Sequence, residues 1–200
     1  MPINQYLVFM QPDLFENPLF VFALEVEAAD LFTGYNPLFV GVGKVNAAYQ
    51  LTKRIGENKP SVIINLGSAG SNTFRKGSVV CCTQFVQRDM DATGIGCNQY
   101  QTPFSEVEPI LNHGIVIDDL PHGICGTGDN FEIAHSTPIY NVIDMEAYAL
   151  AYIAHQENIP YLCLKYISDG ADNNAADDWS TSVKNAARSL RAVIDKIQNK

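Results

Sequence analysis

The chain has no apolar run approaching the ~20 residues that a bilayer-spanning helix requires, so no membrane role is expected. Met1–Met10 does not run from a basic stretch through an apolar core to a small-residue cleavage site, which makes the cytoplasm the expected location. Positive charge is also scarce. Thirteen Lys and Arg stand against 22 Asp and Glu, the formal net charge is -9, and the basic residues are scattered. A surface of that sign repels a phosphate backbone, so nucleic acid is not an expected partner. Cysteine is sparse and odd in number: Cys81, Cys82, Cys97, Cys125 and Cys163 contain no C-x-x-C pair. That argues against a disulfide framework and a zinc site, and the five read as small buried hydrophobes. His113, His122, His135 and His155 lack metal-ligand spacing, and no metal or other cofactor is expected. Phosphate loops are missing too. Gly41-Val42-Gly43-Lys44 lacks the earlier glycine and the following hydroxyl of a Walker loop, and Gly126-Thr127-Gly128 lacks the third glycine of a dinucleotide fingerprint.

What is present is an alternation of β-rich apolar runs with helical patterns. Residues 19–24, 37–41, 61–66, 78–83, 114–117 and 161–167 read as strands, most of them buried on both faces. Helical spacing joins Val45, Ala48, Thr52 and Ile55, then Glu146 to His155, then Val183, Ala187, Leu190, Ile194 and Ile197. Ser180, Thr181 or Ser182 is placed to cap the last helix, and Lys196 and Lys200 suit the negative end of its dipole. Residues 98–113 and 170–178 read as loops. These features give one α/β domain over residues 1–200: a three-layer sandwich whose central sheet is mixed, mostly parallel and twisted, with flanking helices.

Three segments carry chemistry. Gly67-Ser68-Ala69-Gly70 follows a buried strand, where small residues let a ligand approach backbone amides. Asp144-Met145-Glu146 puts two acids where a strand gives way to a helix, and Ser168-Asp169 ends another buried strand. With Ala23–Glu27, Gly41–Ala48, Asp89–Thr93 and Gly128–Phe131, in this order, the chain resembles the nucleoside phosphorylase and nucleosidase family. Within it the likeness is to methylthioadenosine/S-adenosylhomocysteine nucleosidases, over about residues 20–187.

The resemblance implies hydrolysis of a purine nucleoside, in nucleoside catabolism and methionine salvage, with catalytic roles for Glu27 and Asp169. Glu27 would activate the attacking water and Asp169 would protonate purine N7. Glu146, after Met145, would grip the ribose hydroxyls. Phe131 would stack on the base with Ser168 and Glu132 beside it, and Ser68, Ala69, Gly70 and Trp179 would form the rest of the pocket. Related phosphorylases carry an arginine just before the Gly-Ser stretch; here Ile64-Asn65-Leu66 precedes it, which favours water over phosphate as nucleophile. The implied assembly is a homodimer in which Pro103 and Phe104 complete the partner's pocket. The chain departs from the family pattern by being short between the first helix and Gly41, by Asp144 in place of glutamate, and by Glu132 in place of an apolar residue, which is expected to face outward or to alter base preference. Alternatives are a phosphorylase, a nucleosidase acting on inosine, AMP or futalosine, and a noncatalytic nucleoside-binding or storage protein. AMP would need Arg75, Lys76 or Arg88 for its phosphate.

Overall fold

In the longest apolar runs, successive side chains enter two different cores, one on each face of the sheet. The computed structural model of the chain describes residues 12–135, 137–172 and 175–199; the Met1–Met10 segment and Lys200, read above, lie outside them. The order is β1 (Pro18–Phe22), α1 (Glu25–Ala28), a 3-10 stretch (Ala29–Tyr35), β2 (Leu38–Phe39), α2 (Lys44–Glu57), β3 (Val62–Gly70) and β4 (Val79–Gln87). There follow β5 (Ile110–Asn112), β6 (His122–Thr127), β7 (Val142–Asp144), α3 (Ala147–Gln156), β8 (Tyr161–Asp169) and α4 (Ala175–Gln198). Leu19, Val21, Ile63, Tyr161 and Cys163 pack with Leu51 of α2 and Leu150 of α3. Their neighbours Phe20, Phe22, Ile64, Leu162 and Leu164 pack with Phe32 and with Leu190 and Ile194 of α4. The period-two alternation thus serves both faces, which is why these runs are apolar throughout.

The expected mixed, mostly parallel sheet is present, but it is not the middle layer of a plain sandwich. β3 pairs with β8, β8 with β4, β4 with β6, β6 with β7, and β7 returns to β3, closing a five-stranded barrel. β1 and the two-residue β2 extend from the flank of β3, and the short stretch between the first helix and Gly41 leaves that sheet edge short. Closure follows from long, bent strands. The register of β3 against β8 shifts between Ala69 and Gly70, and that of β4 against β6 shifts between Cys82 and Gln84. Such irregularities increase local twist. Beyond the first shift, Gly70 pairs with Ile143 of β7.

Several expected elements move. Residues 114–117 make only a single bridge, Gly114 to Tyr161, because the chain there crosses hard against β4: a Cβ on Gly114 would lie 2.5 Å from the Cys82 carbonyl oxygen. β5 and β6 were not expected, whereas β7 is the strand expected to give way to a helix at Asp144–Glu146; β6 holds Gly123 and Gly126, which weaken a strand signal. Gly126 sits inside that strand rather than in a turn, and a Cβ there would strike the Tyr140 ring. α2 buries Ala47, Leu51 and Ile55, while Val45 is 78% exposed, so its inner stripe lies to one side of the one read from the sequence. α4 begins at Ala175, within the expected 170–178 loop and upstream of the expected serine and threonine caps. The Ala175 N–H donates to the Asp172 carbonyl, and Asp177 and Asp178 occupy a first turn that favours acids. Among the described residues no helix is long and apolar enough to cross a membrane. Cys81, Cys82, Cys125 and Cys163 are buried free thiols, and Cys97 is half-buried.

Candidate active site

Because β3 and β8 run parallel and end together, Gly67–Gly70 and Ser168-Asp169 share one end of the barrel. The β7–α3 junction joins them there through the Gly70–Ile143 pair. Helix α1 adds Glu27. The result is a cleft of about 250 Å³ whose lining includes Glu27, Ser68, Ala69, Gly70, Met145, Glu146, Ser168 and Asp169, with Phe131, Glu132 and Trp179. Eleven of the thirteen residues singled out above therefore converge.

Glu27 is 4% exposed. Its Oε1 accepts hydrogen bonds from the Ser68 backbone N–H at 2.8 Å and the Ser68 hydroxyl at 2.6 Å, and its Oε2 accepts from the Leu24 N–H at 3.1 Å. Gly67 makes room for it: a Cβ there would lie 3.2 Å from Oε1. Asp169, also 4% exposed, accepts from the Ser168 hydroxyl at 2.7 Å and the Ala171 N–H at 2.9 Å. A Cβ on the paired Gly70 would lie 2.6 Å from Asp169 Oδ1. The small residues read as room for a ligand serve first as room for the two acids.

Glu146 immediately precedes α3 and is 7% exposed. Its Oε1 accepts from the Gly43 N–H at 2.8 Å, and Gly43 adopts φ +92°, a conformation natural only to glycine. Burial, and then the neighbouring Asp144 charge, push the Glu146 carboxyl up to about 8, against the pull of Lys165 and the Gly43 amide. Asp144 behaves oppositely. Burial alone would raise it, but Lys165 Nζ at 2.8 Å, the Thr127 hydroxyl at 2.6 Å and the Ala147 N–H at 2.8 Å hold it below the usual carboxylate range. Lys165 is likewise buried, and Asp144 overrides its desolvation to keep it charged.

Glu132 does not face outward. Its carboxylate meets Arg88 Nη1 at 3.2 Å, His135 Nδ1 at 3.1 Å and the Tyr140 hydroxyl at 3.2 Å, a knot that ties the loop after β6 to the end of β4. Of the three cations named for an AMP phosphate, Arg88 lines the cleft. The parallel pairing of Gln87 with Thr127 brings it there, and its guanidinium also donates to Asn130. Lys44, whose role the incomplete phosphate loop left open, pairs with Asp89 at 2.5 Å and Asp129 at 3.3 Å. Lys76 pairs with Asp178. Pro103 and Phe104 are not at this cleft; they border a separate groove of about 700 Å³ with Val45, Tyr148 and Tyr152. Lys165 did carry a signal in the sequence, since a lysine within a strand buried on both faces demands a carboxylate partner. For Arg88 the sequence offered only a candidate cation for a phosphate; its pairing with Glu132 depends on barrel closure, which brings the end of β4 here.

The chain matches the family model described as the phosphorylase superfamily over residues 33–117 and 123–199. It is 29% identical over 177 residues to a 5′-methylthioadenosine/S-adenosylhomocysteine nucleosidase of Staphylococcus aureus strain JH9, covering 78% of each chain. Among solved structures it is similar to the 5′-methylthioadenosine/S-adenosylhomocysteine nucleosidase of Neisseria meningitidis bound to methylthio-immucillin-A (TM-score 0.79, 22% identity, 90% of this chain and 97% of that one). It is similar as well to a futalosine hydrolase mutant of Helicobacter pylori (TM-score 0.80, 17% identity, 91% and 98%). With the family model spanning most of its length and the same fold recurring in these structures, the chain belongs to the phosphorylase superfamily.

Proposed function

We propose that the protein hydrolyses the N-glycosidic bond of a purine nucleoside, with 5′-methylthioadenosine and S-adenosylhomocysteine as substrates. The observation that carries this reading is the convergence of three buried carboxylates, Glu27, Glu146 and Asp169, on one cleft, none of them closing an ion pair with a described residue. Cleavage builds positive charge on the ribose and negative charge on the departing purine, so it calls for a base at one side of the bond and an acid at the other. Glu27 takes a proton from water as the water oxygen bonds C1′. The electron pair of the C1′–N9 bond passes to the purine, and Asp169 delivers a proton to N7. Glu146 accepts hydrogen bonds from the ribose hydroxyls, which become better donors as the sugar gains charge. Phe131, half exposed at the mouth, stacks on the base.

Water is favoured over phosphate by charge. Arg88 is the one cation lining the cleft among the described residues, and it is committed to Glu132 and Asn130; Lys44 and Lys165 are held by carboxylates of their own. A phosphate dianion there would be desolvated without a free partner. The same pairing disfavours AMP: of its three candidate cations, Arg88 and Lys76 are engaged, and Arg75 does not line the cleft. We further infer a cytoplasmic homodimer in which Phe104, fully exposed in the single chain, reaches the partner's pocket. The decisive test is incubation with 5′-methylthioadenosine in phosphate-free buffer, following free adenine by chromatography. Release by wild type with loss of at least 100-fold in Asp169→Asn supports the reading. Absence of adenine from wild type even with phosphate added removes it and leaves futalosine, inosine or a noncatalytic role.

A further inference from the structure

We propose that Trp179 is a positioning residue for the hydrolytic base, acting through Ser68 by its indole N–H rather than only by its aromatic surface. The assignment rests on the nucleosidase reading of the cleft. Trp179 Nε1 donates to Ser68 Oγ at 2.9 Å, and the same oxygen donates its hydrogen to Glu27 Oε1 at 2.6 Å. A serine hydroxyl has one proton and two lone pairs, and an indole N–H is a donor only, so the chain of hydrogen bonds runs one way, from Trp179 to Ser68 to Glu27. Both donors of Ser68 then fall on Oε1, whereas among the described residues Oε2 receives the Leu24 N–H alone. The two carboxylate oxygens are thereby made unequal: Oε1 is the anchored one and Oε2 keeps a lone pair for the proton leaving water. A phenylalanine at 179 would wall the cleft equally well but leave the hydroxyl free to turn toward bound substrate.

The platform for the indole is secured on both sides. Trp179 lies near the start of α4. Asp178 beside it pairs with Lys76, and Ser182, nearly one turn on, donates to the Ser168 carbonyl at 2.9 Å. One end of a 24-residue helix therefore touches the strand that carries Asp169 and, through Ser68, the helix that carries Glu27.

The test compares Trp179→Phe, Ser68→Ala and the double variant in steady-state adenine release from 5′-methylthioadenosine, with thermal melts to establish that each folds. Trp179→Phe is expected to lower kcat roughly 10-fold, the scale of one directed hydrogen bond, with KM changed less than ~3-fold. Ser68→Ala is expected to lose at least as much, and the double variant no more than Ser68→Ala alone, because the indole acts only through that hydroxyl. An unchanged kcat in Trp179→Phe, a raised KM at constant kcat, or additive losses in the double variant would each overturn the proposal and reduce Trp179 to a wall of the pocket. If wild type releases no adenine, the nucleosidase reading itself falls and takes this inference with it; wild-type turnover with an indifferent Trp179→Phe sinks the inference alone.

Discussion

At the scale of single residues, the site works by placing carboxylates in unlike surroundings. Glu146 is the clearest case, because burial beside Asp144 lifts it from an ordinary 4.5 to about 8. A folded state that holds a proton more tightly than the unfolded chain gains stability from it below about pH 4.5 and loses that gain as pH rises through about 8. Glu146→Gln imitates the protonated form. It is therefore expected to abolish turnover, to match wild type in thermal melts near pH 5 and to melt several degrees higher at pH 9. Parallel melting curves from pH 5 to 9 would contradict the assignment. Glu146 and Asp169 stood out as acids at the ends of apolar runs, while Glu27 and Phe131 were candidates through the family resemblance. The inward turn of Glu132 was not, because its three partners arrive from segments 3 to 44 positions away in sequence.

At the scale of elements, the junction of β7 with α3 is held by the Asp144–Lys165 pair. Asp144 also accepts from the Ala147 N–H, satisfying a free amide at the start of α3, and Thr127 braces it from β6. Lys165→Met would leave that carboxylate charged and buried without its counter-ion. Urea unfolding is expected to show a loss of about 3–5 kcal/mol, with a substantial part recovered when Asp144→Leu is added. A loss below 1 kcal/mol would mean that water reaches Asp144 and that the pair does not brace Glu146. The helices α2, α3 and α4 were readable from their periods, and the long strands as apolar runs. β5 holds three residues, too few for any period to register, and β7, equally short, was legible only as the strand end before Met145.

For the whole molecule, the groove bordered by Pro103 and Phe104 lies apart from the cleft, on the side where Val45 and Tyr49 of α2 are exposed. Apolar side chains gathered on one face fit burial against a second copy. Sedimentation at micromolar concentration is expected to give twice the chain mass. Phe104→Glu is expected to yield single chains with KM for 5′-methylthioadenosine raised several-fold; single chains already in wild type would withdraw the dimer and the shared pocket with it.

The residue types, their order and the alternation of apolar runs were enough to point to an α/β fold, a family resemblance and a set of candidate acids, because local pattern and motif are properties of the chain alone. Barrel closure, the presence of Arg88 at the cleft, the knot around Glu132 and the link from Trp179 to Glu27 through Ser68 were decided only in three dimensions. Each depends on register and twist summed over several strands, which bring together side chains as far as 111 positions apart, and no local pattern encodes such a distance.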